Sequence, residues 1–177
     1  KINKEERTKM YKTIPRSSVI GFLIGVLPGA GATIASFLAY GMERNVVSDE
    51  EKEKFGKGSV NGLSAPETAN NAACSGSFVP MLTLGIPGSG TTAVMLGALL
   101  GFGVQPGPRL YMTNPEIFWS IIMSMYIGMV ILLILNLPLI PYIARILAVP
   151  KNYLIPLILF FSVTGIYVMS FNNFDIY

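Results

Sequence analysis

The stretch APETANNAACSGSFVPMLTLGIPGSG, residues 65–90, sets the reading of the whole chain. It is apolar enough for membrane depth, yet it holds one carboxylate, two adjacent amides, four glycines and three prolines. At that depth, backbone outside a helix persists only where protein or a water-filled cavity satisfies its free N–H and C=O groups. A Pro-Gly-Ser-Gly break beside Glu67, Asn70 and Asn71 therefore marks a place where something polar binds, and the rest of the chain is its support.

Working outward, the charge is unevenly distributed over the 177 residues. Ten of the thirteen Lys and Arg precede Gly58, and between Gly58 and Pro108 the single charged side chain is Glu67. Half the residues are hydrophobic, 51%, against 13% charged. Residues 17–42, 117–144 and 154–174 each lack a charged residue over a length that can cross a bilayer core, which takes about 20 residues. The chain is thus expected to be an integral membrane protein. With no His and one Cys, Cys74, it cannot use histidine acid–base chemistry, Cys/His zinc ligation or an intrachain disulfide. Cys74 reads as a small packing residue. Nucleic-acid binding is a poor fit, because no groove of basic residues interleaved with aromatics accompanies the charge.

Residues 1–16, KINKEERTKMYKTIPR, read as a basic linker helix lying against the headgroups, ended by Pro15. Residues 17–177 then form the transmembrane domain. Lys1 opens a charged segment with no apolar leader, and the chain stops at residues 172–177 without a closing loop, so it is expected to be a piece of a longer protein. Within residues 17–42, Pro28-Gly29-Ala30-Gly31 predicts a break. Two arms of about 12 residues, each about 18 Å long, reach the bilayer middle and return. Because basic residues flank both sides (Arg16, then Arg44, Lys52, Lys54 and Lys57), a re-entrant hairpin is favoured over a single broken span. Residues 46–55 are expected to form a short soluble helix with Ser48 as N-cap, Glu51 completing a capping box and a solvated charged face.

Pro66 suits a first helical position, predicting a helix over residues 66–78 on which Glu67, Asn70, Asn71 and Cys74 share one face. Pro80 disrupts it, Gly85-Ile86-Pro87-Gly88 breaks it again, and residues 89–100 start anew. Residues 101–115 form a turn-rich loop whose Arg109 is expected at the interface. Asn114 and Pro115 cap a helix over residues 116–136, interrupted at Pro138 and Pro141 before an amphipathic segment ending at Pro150. A last span follows from Leu154, and Trp119 and Tyr126 are expected interface anchors.

One repeat stands out. Pro28-Gly29-Ala30-Gly31-Ala32-Thr33 and Pro87-Gly88-Ser89-Gly90-Thr91-Thr92 both read P-G-x-G-x-T, each before a small-residue helix. Two flexible kinks that let helices pack closely would explain them. A shared midplane site built from two discontinuous helices explains them together with the amide-rich face, and is preferred. The expected fold is all-α and membrane-embedded, with two discontinuous helices, as one half of an inverted-repeat transporter. A membrane enzyme cradling phosphate at PGAG and PGSG is disfavoured. Neither loop matches G-x-x-x-x-G-K-[ST], and no carboxylate cluster is present to hold Mg²⁺. A non-transporting scaffold would need neither the repeat nor the amides.

The runs LPGAGATIASFLAY, FGKGSVNGLSAPETANNAACSGSFVPMLTLGIPGSG and QPGP resemble the large permease subunit of the tripartite tricarboxylate transporters, the TctA family, roughly its C-terminal half. The resemblance implies a prokaryotic inner-membrane carrier of citrate-like di- and tricarboxylates, driven by a sodium or proton gradient and without an enzyme's chemistry. Implied partners are a periplasmic substrate-binding protein, a small membrane subunit and the N-terminal half of the same permease. The motif positions carried over are Pro28, Gly29, Gly31, Glu67, Asn70, Asn71, Pro87, Gly88 and Ser89. On that basis, helix N-termini near Gly31 and Gly90 are expected to face a substrate carboxylate, with hydroxyls from Thr33, Ser89, Thr91 and Thr92. Unwound carbonyls near Leu27 and Ile86, with Asn70 and Asn71, are candidates for holding sodium. Glu67 is either a proton carrier or ion ligand, or a carboxylate in the first turn of its helix, where the dipole suits it.

Overall fold

The computed structural model describes residues 3–145 and 150–170. All its elements are helices, with no strand among the described residues: α1 (Lys4–Val26), α2 (Gly31–Val46), α3 (Asp49–Lys52), α4 (Val60–Gly76), α5 (Phe78–Leu84), α6 (Gly90–Gly101), α7 (Leu110–Thr113), α8 (Pro115–Ala144) and α9 (Lys151–Ser170). The chain divides into two compact units, Lys1–Ser120 and Ile121–Tyr177.

In the first unit the backbone breaks where Pro-Gly chemistry demands. α1 stops at the extended cap Leu27, and Gly29 and Gly31 take φ of 81° and 69°, a region closed to most side chains. α2 then returns antiparallel to α1, because Arg16 and Thr13 both reach Glu43 while Lys9 reaches Glu51. α4 runs parallel to α1 with a constant register, Thr13 beside Asn61, Gly21 beside Ala69 and Gly25 beside Ala73. Thr13, Ser17, Gly21 and Gly25 recur every fourth residue on α1, facing Asn61, Ala65, Ala69 and Ala73 at the same spacing on α4, and all are buried. From α2, Ala35, Ala39 and Glu43 complete the seam. A core built from Ala35, Ala39, Ala69 and Ala73 offers little apolar area, so cohesion comes from backbone proximity and dispersion, the mode of helix association used in lipid.

The approach is close enough to require glycine. A Cβ added at Gly21 would lie 2.3 Å from Ala69 O, and one at Gly25 would lie 2.2 Å from Ala73 O. From the other side, a Cβ on Gly76 would meet Phe22 O at 2.5 Å.

Several prolines do not stop helices as expected. Pro15 lies inside α1, on its exposed side, with Thr13 and Arg16 tied down on either side of it; the basic segment is therefore continuous with the apolar one. α4 starts at Val60, not Pro66, because Ser59 caps it by accepting from Gly62 N at 3.1 Å. α4 ends at Gly76 before Pro80 is reached, and Pro80 sits in the first turn of α5, where a missing N–H leaves no bond unmade. Ser48 occupies the N-cap position of α3 without a side-chain cap bond; Glu51 makes no capping box but turns inward to Ser59. The charged run is therefore not wholly a solvated face. After α5, Gly85 closes the helix at φ 69°, and the loop that follows α6 folds back, Gly107 N donating to Leu82 O at 3.1 Å.

In the second unit, α8 runs through both Pro138 and Pro141 rather than stopping near Asn136. It is the helix, among the described residues, that is long and apolar enough to cross a membrane. Residues 17–42 are divided between the end of α1 and α2, with the break at residues 27–30, and α9 is a shorter apolar helix. Trp119 and Tyr126 are exposed along α8, and the Arg145 guanidinium stands 5.3 Å from the Tyr142 ring centroid. The expected amphipathic segment before Pro150 includes residues 146–149, which lie outside the described residues, as do residues 172–177; the expected last span over residues 154–170 falls on α9.

Candidate functional site

The second P-G-x-G-x-T loop packs on the last turn of α1, the turn that leads into the first loop. Gly88 is buried against Ser77 and Gly25: a Cβ there would lie 3.0 Å from Ser77 Cβ and 3.5 Å from Gly25 O. Gly25 is three residues before Pro28, so the second loop packs under the mouth of the first. Around this point Pro28, Gly29 and Thr33 are exposed, Gly31 and Pro87 half-buried, and Gly90 and Thr91 exposed.

The helix starts behind the loops differ chemically. α6 carries a capping box, in which Ser89 Oγ accepts from Thr92 N at 3.2 Å and Thr92 Oγ1 accepts from Ser89 N at 2.8 Å. Thr92 is 1% exposed, and its hydroxyl also donates to Ser89 O. Those two side chains are spent on the helix end, which leaves Thr91 as the exposed hydroxyl of this loop. α2 has Ala30 as its N-cap, with no side-chain cap bond, so its first backbone N–H groups have no partner of that kind. The Leu27 carbonyl accepts from Ala30 N at 3.2 Å and so is already engaged in the turn.

Glu67, Asn70, Asn71 and Cys74 share the exposed face of α4, opposite the buried Ala65–Ala69–Ala73 stripe. Asn71 Nδ2 donates to Glu67 O at 2.8 Å, its amide oxygen having no hydrogen bond among the described residues, while the Cys74 thiol lies 3.9 Å from Asn70 Oδ1. Asn71 stands six residues before Ser77, about 9 Å along α4 from the loop junction. Because α4 begins at Val60, Glu67 is about two turns inside the helix, which removes the first-turn explanation for it. Its carboxylate makes no ion pair among the described residues, and it lines an apolar groove of about 690 Å³ together with Met10, Ile14, Tyr40 and Thr68.

A second polar centre went unread in the sequence. Glu43 is 0% exposed, about 20 Å along the bundle from the loops. Its carboxylate accepts from Thr13 Oγ1 at 2.7 Å, Asn61 Nδ2 at 2.9 Å and Arg16 at 2.8 and 3.0 Å. One helix each supplies donor, acceptor and counter-charge, so this knot fastens the open end of the α1–α2 hairpin to α4. Farther out, Glu5 and Glu51 hydrogen-bond Lys9 and raise its pKa above the usual 10.5. Burial pushes the Glu51 carboxyl upward, but hydrogen bonds from Ser59, Lys9 and Lys54 outweigh it and hold the carboxyl below its usual 4.5. The signal for Glu43 was its place four residues beyond Ala39 on the buried stripe of α2.

Among the described residues there is no group of three or more His, Cys, Asp and Glu side chains placed to hold a metal ion. Comparison with known proteins finds a family model described as "Tripartite tricarboxylate transporter TctA family" matching residues 1–177. The chain is 42% identical over 176 residues to an "Uncharacterized 52.8 kDa protein in TAR-I ttuC' 3'region" of Agrobacterium vitis, covering 99% of this chain and 35% of that protein. It is 45% identical over 157 residues to an "Uncharacterized protein in TAR-II ttuC' 3'region" of the same organism, covering 89% of this chain and 64% of that one. It thus spans about a third and just under two thirds of these curated relatives. No solved structure matches it. With a family model aligned from its first residue to its last and a shared sequence of this extent, the chain belongs to the TctA family of tripartite tricarboxylate transporters.

Proposed function

We propose that this chain is part of the membrane permease of a secondary transporter that imports di- or tricarboxylates of the citrate class, received from a periplasmic substrate-binding protein with the help of a small membrane subunit. In this proposal α1–α2 is a re-entrant hairpin and α5–α6 a second broken helix in a prokaryotic inner membrane, one half of an inverted repeat completed by the rest of the permease. The observation that carries it is the packing of Gly88 on Gly25, which supports a shared site by bringing both loops to one end of a tightly bound three-helix unit.

A substrate carboxylate is received by the backbone N–H groups at the start of α2, by those of Gly90 and Thr91, and by the Thr33 and Thr91 hydroxyls. The backbone turns at Pro28, Gly29, Gly31, Pro87 and Gly88 keep side chains out of the way, while Ser89 and Thr92 hold the shape of the second loop. Asn70 and Asn71 offer amide oxygens to sodium or amide donors to the substrate. Glu67 couples the cycle to a sodium ion or a proton, since an ionisable group set among apolar residues is costly to keep without a use. No other cofactor is required, and nothing in this scheme calls for an enzyme's chemistry.

The test is uptake of radiolabelled citrate into vesicles holding the full-length permease, its small subunit and its binding protein. Asn71→Ala should lower uptake about tenfold or more while membrane insertion stays intact. Uptake at the wild-type level would refute the amide role, and absence of gradient-dependent uptake by the wild type would refute transport itself.

A further inference from the structure

The two helix breaks are closed in different ways. At the first, Leu27 N donates to Ile24 O at 3.1 Å and Ala30 N to Leu27 O at 3.2 Å, so the turn bonds within itself. At the second, the amide of Ile86, which a continuing helix would give to Leu82, goes instead to Pro80 O at 3.2 Å. The Leu82 carbonyl thereby loses its helical donor, on a residue 4% exposed. A buried carbonyl needs a partner from somewhere, the more so where no water reaches it. Its donor arrives from the far side of α6: Gly107 N, at 3.1 Å.

The sequence around Gly107 is suited to supply that one N–H. In Gln105-Pro106-Gly107-Pro108 neither proline has a backbone N–H, so Gly107 carries the single donor of the Pro-Gly-Pro run. The prolines also fix φ on both sides of it. The turn is fastened at its ends, where Val104 N donates to Leu99 O at 2.9 Å and Leu110 N to Gly107 O at 3.0 Å, and Val104 and Leu110 are both buried. A second contact faces the break itself. Gly85 has φ 69°, and a Cβ there would lie 3.1 Å from Pro106 O. The turn therefore touches both the end of α5 and the residue that starts the departure from it.

We propose that the turn over residues 105–108 is the positioning element of the second P-G-x-G-x-T loop, Gly107 N–H holding the end of α5 and Pro106 O fixing the path of the chain at Gly85. It touches no substrate. Ser89 and Thr92 fasten the loop to α6, and this turn fastens it to α5, so together they set where Gly90 and Thr91 stand. The consequence for binding rests on the reading of Gly90 and Thr91 as part of a carboxylate site.

The experiment is maleimide labelling of Thr91→Cys in the purified full-length permease, with Cys74 and any other cysteine replaced by Ala. Thr91 is exposed, and labelling requires no transport. Gly107→Pro removes the N–H, whereas Gly107→Ala keeps it at a place where a Cβ meets nothing within 4 Å. Gly85→Ala presses on Pro106 O, whereas Gly103→Ala carries the same strain of a positive φ, 75°, with nothing within 4 Å. Gly107→Pro and Gly85→Ala should change the labelling rate constant about fivefold, as expected for loss of one buried hydrogen bond, and Gly107→Ala and Gly103→Ala less than about twofold. A merely structural loss lowers the amount of folded protein that labels but not its rate constant. Citrate should protect the parent and Gly107→Ala at the same concentration, with Gly107→Pro needing about fivefold more. If citrate fails to protect the parent, the carboxylate reading falls, and the rates without citrate still decide the positioning role. That role is overturned if Gly107→Pro labels like Gly107→Ala, or Gly85→Ala like Gly103→Ala.

Discussion

Substituting Gly25 by Ala tests whether backbone contact, rather than side-chain burial, holds α1 to α4. The new Cβ would lie 2.2 Å from Ala73 O and 2.6 Å from its Cα, against a 3.0 Å limit that real Cβ contacts respect. The obstacle is main chain inside a helix, so no rotamer change relieves it and the seam must open by about 1 Å. A gap of that size forfeits a quarter to a half of each affected dispersion contact, and overpacked interiors lose about 1–3 kcal/mol. Ala gains about 1 kcal/mol over Gly in helix propensity, which offsets part of the loss. Because the clash is with main chain, the loss is taken at the top of that range, and the expected net destabilisation is about 2 kcal/mol. Gly41→Ala is the matched control, since a Cβ there meets nothing within 4 Å and only the propensity gain of about 1 kcal/mol remains. Equilibrium unfolding of the full-length protein in mixed micelles should therefore separate the two by about 3 kcal/mol, in opposite directions from wild type. If both substitutions move the midpoint the same way by the same amount, glycine-mediated contact is not what joins these helices.

The buried ion pair and the outer charges make two further measurements. Arg16→Met strands the Glu43 carboxylate without its counter-charge and should cost about 3–5 kcal/mol in the same unfolding assay, while Arg16→Met with Glu43→Met should recover most of it; a double variant as unstable as the single would refute the pairing. For pH, the lowered Glu51 pKa means its contribution is present above 4.5 and lost as pH falls through the lowered value, whereas the raised Lys9 pKa means its contribution is full below 10.5 and lost as pH rises through the raised value. Glu51→Gln should thus flatten the acid limb of the stability profile and Lys9→Met the alkaline limb; an acid limb unchanged in Glu51→Gln would rule out its hydrogen-bonded carboxylate as the cause.

What the sequence discloses depends on how local the cause is. The breaks at Pro28–Gly31 and Pro87–Gly90 were legible because proline geometry and glycine φ act within a few residues, and α2 and α6 begin at Gly31 and Gly90 as the motif implies. Pro15, Pro66, Pro138 and Pro141 were misread because the same local rule loses to context. α1 is held across Pro15 by Thr13 and Arg16, and α4 is nucleated six residues before Pro66 by the Ser59 cap. Glu43 was hidden by its neighbours Arg44 and Asn45, which make it look like the start of a solvated stretch. Its burial exists only once α1 and α4 are placed around it, and the clue was a four-residue period in small residues, which carries no hydrophobic signal.

That four-residue period also explains why a polar knot belongs in such a bundle. Gly and Ala seams let helices slide, because a register shifted by one small residue buries nearly the same surface. Along Gly21–Ala69 and Gly25–Ala73 a slip costs the misfit of a Cβ such as that of Ser17, whereas a one-turn shift at the other end costs more, burying the Glu43 carboxylate against Ser17 or Ala65 with its donors lost. The Thr13–Asn61–Glu43–Arg16 network therefore fixes the register that the small residues leave free. A slip of α1 past α4 would also carry Gly25 away from Ala73 and from Gly88, at the end of the bundle about 20 Å from that carboxylate.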